Sequence, residues 1–88
     1  MSVNEILKQR QKTHGEFEEH ANITQKLKRV IDYSNAILTD EQKEALEMIF
    51  HKIGRVLAGD PNHKDNWDDI AGYAMLVSKA IDRDEKNE

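Results

Sequence analysis

Apolar residues recur at intervals of three and four along three long stretches of this sequence, and few helix-breaking residues interrupt them. The chain of 88 residues contains one proline and four glycines. An interval of three to four residues places apolar side chains along one face of an α-helix, whereas strands require strict alternation. The sequence therefore predicts an all-α fold in which amphipathic helices pack their apolar faces together.

Local signals at helix ends divide the chain into a short first helix and three longer ones. Ser2 followed by Glu5, and Thr39 followed by Gln42, have the spacing of a capping box, and Gly59 is typical of a helix end. We expect a first helix after Ser2 and then helices over about 15–34, from 39 to 59 and from 65 to 81. The sequence thus predicts one helical domain, a small bundle, over residues 1–81.

The last residues and the fourth helix carry two further expectations. Residues 82–88 include no apolar side chain, and we expect this tail to fray. On the fourth helix, the predicted core seam is Trp67, Ile70, Ala74, Val77 and Ile81, and a second apolar line beside it is Tyr73, Leu76 and Ala80. Because a bundle of this size has few internal surfaces to cover both lines, we expect a homo-oligomer.

Two glycines lie inside predicted helices, where each costs about 1 kcal/mol relative to alanine. Gly54 lies in the third helix and Gly72 in the fourth. One interpretation is a close helix–helix contact between these two glycines. The other is room for a ligand beside the backbone. The packing role of small residues favours the first interpretation.

Composition and charge exclude several classes of function. The absence of cysteine excludes disulfide scaffolds, thiolate zinc sites and cysteine nucleophiles. A net charge of -4 argues against a general binder of nucleic-acid backbones, and the acids that open the fourth helix would repel DNA. Without an apolar leader or a membrane-spanning stretch, we expect a cytoplasmic protein with no membrane partner.

Two groups of acidic residues are candidates for a metal site. Glu16 and Glu19 are three residues apart, and Asp65 shares a helix face with both Asp68 and Asp69. Carboxylate pairs on facing helices suit Mg²⁺ or Mn²⁺, which prefer oxygen ligands. Acids in the first turn of a helix also stabilise the helix dipole without any metal, and spacing alone favours this second interpretation.

Lys52 and Arg55 interrupt the apolar stretch 49–57 of the third helix. They could contact phosphates or form ion pairs with the acids of the neighbouring helices. In either case we expect both side chains to point into a cleft rather than into bulk water. Trp67, among the acids of the fourth helix, is predicted to belong to the core rather than to serve as a stacking platform.

Three segments, ILKQRQKTHG, THGEFEEHANIT and HKIGRVLAGDPNHKDNWDDIAGYAMLV, resemble a small phage and prophage family of unknown function. The family pattern is HG-x-F-x-E-x-A, then K-I-x-R, then D-x-W-x-D-I-A-G-Y. The resemblance covers about residues 4–80. That family is in turn similar to the MazG-like all-α nucleoside triphosphate pyrophosphohydrolases.

This resemblance implies a dimeric or tetrameric helical bundle that cleaves a nucleotide between its α- and β-phosphates with Mg²⁺. In MazG-like enzymes an ExxE pair on one helix and an ExxD pair on the next hold the metal. Glu16 and Glu19 match the first pair. In the second pair Asp65 replaces the glutamate, and its partner is Asp68 or Asp69, of which Asp69 matches the phage pattern better. Glu16, Glu19 and Asp69 are the implied catalytic residues.

The resemblance also implies the contacts to substrate. Lys52 and Arg55 would bind phosphates, and Trp67 or Tyr73 would pack near the base. The alternative function is a non-catalytic phage protein that binds a host protein or a nucleotide. The enzyme requires the two acidic pairs to face each other, within one subunit or across an interface, whereas the binding protein does not.

Overall fold

The structure, a computed structural model, describes residues 2–87. Four helices follow one another along the chain: α1 (Val3–His14), α2 (Phe17–Ser34), α3 (Asp40–Ala58) and α4 (Lys64–Lys86). No strand occurs in this part of the chain. The predicted all-α class, with a short first helix and three longer ones, is confirmed.

The capping hydrogen bonds predicted at the start of the first and third helices are present in the structure. The Ser2 hydroxyl accepts from the backbone N–H of Glu5 at 3.1 Å. At the start of α3, Thr39 and Gln42 form a reciprocal capping box, with bonds of 3.1 and 3.0 Å. These bonds satisfy backbone donors that the first turn of a helix leaves free, which is why the helices begin at these residues.

Helix α3 is the central element of the bundle. Both α2 and α4 pack against α3, and within residues 2–87 they make no contact with each other. The radius of gyration of the Cα atoms is 15.5 Å, against about 12 Å for a compact domain of this length. The three long helices therefore form a layer with two open sides, rather than a closed core.

Two glycines hold the end of α1 against the end of α3. Gly15 has φ 78°, and a Cβ atom there would collide with the carbonyl of Ala58. A Cβ at Gly59 would collide in the same way with the carbonyl of Thr13. The backbone N–H of Asp60 donates to that Thr13 carbonyl at 2.9 Å. Only glycine allows the two backbones to approach so closely. The THG and GDP segments therefore form one closely packed corner, which we call the glycine corner.

The two helical glycines behave differently from each other. A Cβ at Gly54 would lie 2.7 Å from Thr24 Oγ1 and 2.8 Å from His20 Cδ2, so this glycine allows α2 to approach α3 closely. A Cβ at Gly72 would meet nothing within 4 Å. The predicted close contact is confirmed for Gly54, but the pairing of the two glycines is wrong.

The seam of α4 is displaced from the prediction by one residue at three positions. The positions that face α3 are Asn66, Ile70, Tyr73, Val77 and Ala80, all buried or half-buried. Trp67 is 53% exposed and Ile81 is 44% exposed, so the prediction of Trp67 as a core residue is wrong. The indole N–H of Trp67 donates to the carbonyl of Pro61 at 2.8 Å. This bond holds the indole ring against the segment that precedes α4.

Helix α4 continues to Lys86, beyond the predicted end at residue 81. Arg83 lies 2.8 Å from Glu41 at the start of α3 and 3.0 Å from the neighbouring Asp84. The apolar periodicity ends at Ile81, and polar contacts of this kind leave no periodic signal in a sequence. The helix limit drawn from apolar residues is therefore too short.

The two glycines provide a matched pair of substitutions. Both Gly54→Ala and Gly72→Ala gain helix propensity, by about 1 kcal/mol. At Gly72 the new methyl group meets open space, so we expect urea unfolding to show a more stable protein. At Gly54 the methyl group overlaps buried Thr24, so we expect a net loss of stability. Equal effects at the two positions would contradict the close contact between α2 and α3.

Candidate functional site

The clearest polar contact between long helices joins Lys52 of α3 to Asp69 of α4. The Lys52 Nζ lies 2.9 Å from Asp69 Oδ2, and the lysine side chain is 12% exposed. The expectation that Lys52 turns away from bulk water and pairs with an acid is confirmed. A partly buried pair of this kind is screened less by solvent than a surface pair.

The structure does not bring the two acidic pairs together within one chain. Glu16 and Glu19 lie at the start of α2, and Asp65 and Asp69 lie on α4, which α2 does not touch. Among residues 2–87, no group of three His, Asp or Glu side chains could hold a metal ion. A metal site that uses both pairs stays a prediction for an assembly of copies.

The positions of the acidic residues around their helices separate the two acidic pairs further. Glu19 is in line with Ile23 on α2, four residues further on, whereas Glu16 precedes the helix with extended backbone. Asp65 and Asp69 project from the side of α4 opposite Trp67. On the two helices that do pack together, the group beside Asp69 is the ammonium of Lys52.

A cleft of about 650 Å³ lies between α1 and the start of α2. We call it the basic cleft, because Lys8 and Arg10 of α1 and Arg55 of α3 line it together with His14. Phe17, which is 80% exposed, also lines it. Two acids are part of the wall as well, Glu16 and Glu18. The glycine corner fixes α1 on the end of α3, so cations from two helices face one space.

Several cations lie close enough to His14 to lower its pKa. Burial lowers the pKa of His14, and Arg55 and Arg10 lower it further through their charges. His63 and Lys52 act in the same direction. In the described part of the chain, none of the three cations that line the basic cleft forms an ion pair. A local positive field in a chain of net charge -4 attracts anions.

The contact of α2 with α3 is polar at its centre. The His20 Nε2 is hydrogen-bonded to the carbonyl of His51 at 3.0 Å, and the two imidazole rings stack with centroids 5.7 Å apart. Thr24, 1% exposed, lies 3.5 Å from the same nitrogen. Burial and the neighbouring Lys28 lower the pKa of His51. These histidines pack the helices rather than form a site.

Of the predicted substrate residues, Arg55 alone lines the basic cleft. Lys52 does not line it, but its charge contributes to the lowered pKa of His14. Trp67 is bound to Pro61, and Tyr73 faces a separate groove with Leu76. Sequence reasoning missed Arg10, His14 and Phe17. The signal that could have found them is the basic run KQRQK directly before the THG turn.

Comparison with known families places the chain. A family described as a domain of unknown function, DUF6378, matches residues 2–81. The chain belongs to the DUF6378 family. The expected resemblance to a small family of unknown function is thereby confirmed. No curated protein and no solved structure matches the chain. In the described part of this DUF6378 domain, no helix has the length and hydropathy needed to cross a membrane.

The lowered pKa of His14 has a measurable consequence. Since the folded state holds this imidazole below its ordinary pKa of 6.5, the unfolded chain binds more protons between the two values. Stability is therefore lost as the pH falls through this window, and His14→Gln should reduce that loss. NMR titration should place the His14 midpoint below 6.5. A midpoint at or above that value would contradict both the burial of this ring and the effect of the neighbouring cations.

Proposed function

We propose that this domain is a non-catalytic nucleotide-binding protein that holds the phosphates of its ligand in the basic cleft. The observation that carries the proposal is the meeting of Arg10, His14 and Arg55 in one cleft. Among the described residues neither arginine has a carboxylate partner. Unpaired guanidinium groups in a fixed cleft are suited to bidentate hydrogen bonds with phosphate oxygens.

The rest of the cleft fits the other part of a nucleotide. Phe17 exposes most of its ring at the cleft wall, beside the cations. An exposed aromatic ring next to a phosphate site is a platform on which a base can stack. The volume of about 650 Å³ lies within the range of small-molecule sites.

A MazG-like, Mg²⁺-dependent pyrophosphohydrolase of phage origin is the competing hypothesis, and it rests on the motif resemblance. That chemistry needs carboxylates gathered around the metal to position phosphate and water. In one chain the pairs Glu16–Glu19 and Asp65–Asp69 are on helices that do not touch. Asp69 is already paired with Lys52. These placements favour binding without hydrolysis.

A calorimetric titration of the protein with nucleoside triphosphates tests the proposed binding. We expect Arg55→Gln and Arg10→Gln each to weaken binding about tenfold or more, as loss of a charge-assisted hydrogen bond does. Arg29→Gln is the matched control, since Arg29 is exposed on α2 and does not line the cleft. Equal binding by all three variants, or no binding by the wild type, would contradict the basic cleft as the site.

Product analysis in the presence of Mg²⁺ separates binding from hydrolysis. The proposal predicts no release of monophosphate and pyrophosphate. Release that depends on Mg²⁺ and is abolished by both Glu19→Gln and Asp69→Asn would overturn the non-catalytic function. That result would establish the pyrophosphohydrolase and would require an assembly that unites the two acidic pairs.

A further inference from the structure

One open side of the helical layer is lined by apolar residues from all three long helices. We call it the apolar face. Its members on α3 are Leu46, Phe50, Ile53 and Leu57, separated by four, three and four residues. Its members on α2 are Ile23, Leu27 and Val30, and on α4 they are Trp67, Ala74 and Ile81. These ten side chains carry no charge, and each is half-buried or exposed.

The contacts between helices show that these stripes share one side. Leu46 and Ile49 of α3 line a groove of about 370 Å³ together with Ala74 and Val77 of α4. On α2, Lys28 acts on the imidazole of His51, which lies on the other side of α3. Helical geometry then leaves the stripe of Ile23, Leu27 and Val30 beside Phe50 and Ile53.

The opposite side of the layer is polar. It carries the Lys52–Asp69 pair, His51 and the basic cleft with Arg55. The layer therefore has one side that carries charged groups and one side whose ten named members carry none. Removal of apolar area from water is the main favourable contribution to folding, and in this chain Ala45 is the one apolar side chain classed as buried among residues 2–87.

The accessible area of the whole chain is larger than that of a compact monomer of this mass. The chain exposes 6778 Å², whereas a folded monomer of 10.2 kDa exposes about 5,300 Å². The excess of roughly 1,500 Å² is larger than the ~800 Å² that each partner buries in a standard stable interface. The chain as a whole thus exposes enough surface for a permanent interface, and the ten members of the apolar face carry no charge, which is typical of the centre of one.

We infer that a second copy of this chain covers the apolar face, so that two layers pack face to face around a shared core. A cover on which folding depends must be present whenever the chain is folded, and another copy meets that condition. The uncharged surface offers no complement to an acidic or basic partner. A two-fold axis brings the same stripes together from both copies.

This interface differs from the one expected from the sequence. The line Tyr73, Leu76 and Ala80 was the predicted uncovered surface, but Tyr73 and Ala80 are half-buried against α3. Leu76 alone of the three is a large exposed side chain, on the polar side of the layer. The inference is independent of nucleotide binding, because the basic cleft lies on the opposite side.

Sedimentation velocity with a matched pair of variants tests the interface. Leu57 and Leu76 are both 62% exposed, and they lie on opposite sides of the layer. We expect the wild type to sediment as a particle of at least two copies at micromolar concentration. Leu57→Glu should raise the dissociation constant at least a hundredfold, whereas Leu76→Glu should change it less than threefold. A wild type that sediments as a particle of 10.2 kDa at a concentration of about 100 μM overturns the inference.

Trp67 provides a second measurement that needs no variant. It is the one tryptophan in the chain and lies on the apolar face, so its emission reports on the cover. We expect a red shift on dilution, at the concentration where the sedimenting mass halves. Emission that stays constant while the mass halves places the interface elsewhere. Dissociation by Leu76→Glu but not by Leu57→Glu would also overturn the inference.

Discussion

The contact of α3 with one helix on each of two opposite flanks governs the rest of this structure. On one flank Gly54 lets Thr24 and His20 of α2 approach the α3 backbone. On the other flank α4 packs on α3, beside the pair of Lys52 with Asp69. Because α2 and α4 do not meet, no fourth wall closes the bundle, and both remaining sides of α3 stay open.

These two open sides have different chemistry and, in this account, different partners. The polar side holds cations from α1 and α3 around the basic cleft, which is the proposed site for an anion. The apolar side has no charged residue among its ten members and is suited to another apolar surface. A ligand and a second copy can therefore bind at the same time, since neither occupies the side that the other needs.

Local signals predicted much of the fold because they act over a few residues. The capping residues Ser2 and Thr39, and the glycine at the end of α3, determine helix limits without help from the rest of the chain. The seam of α4 was harder to predict. Its apolar stripe is wide enough for two registers one residue apart, and the bond of Trp67 to Pro61 accompanies the observed register. Tertiary packing decides between such registers.

The candidate site shows the same limit. Lys52 was identified because it interrupts an apolar stretch, and its pair with Asp69 is one of the alternatives that this argument left open. The basic cleft combines Arg10 of α1 with Arg55 of α3, and no short motif links residues so far apart. The acidic pairs were assigned to one site by the resemblance to MazG-like enzymes, and neither a motif nor its spacing shows which helices touch. The structure places them on the two outer helices.

The central claim is that a folded chain needs a second copy to cover its apolar face. The most direct test is to measure the melting temperature of the wild type by circular dichroism at several protein concentrations. If folding and association are coupled, mass action raises the melting temperature as the concentration increases. We expect a rise of several degrees between about 1 and 100 μM, because this change of concentration shifts the association equilibrium by about 2.7 kcal/mol. A melting temperature that is the same at both concentrations, for a chain that sediments as a monomer, would contradict the central claim.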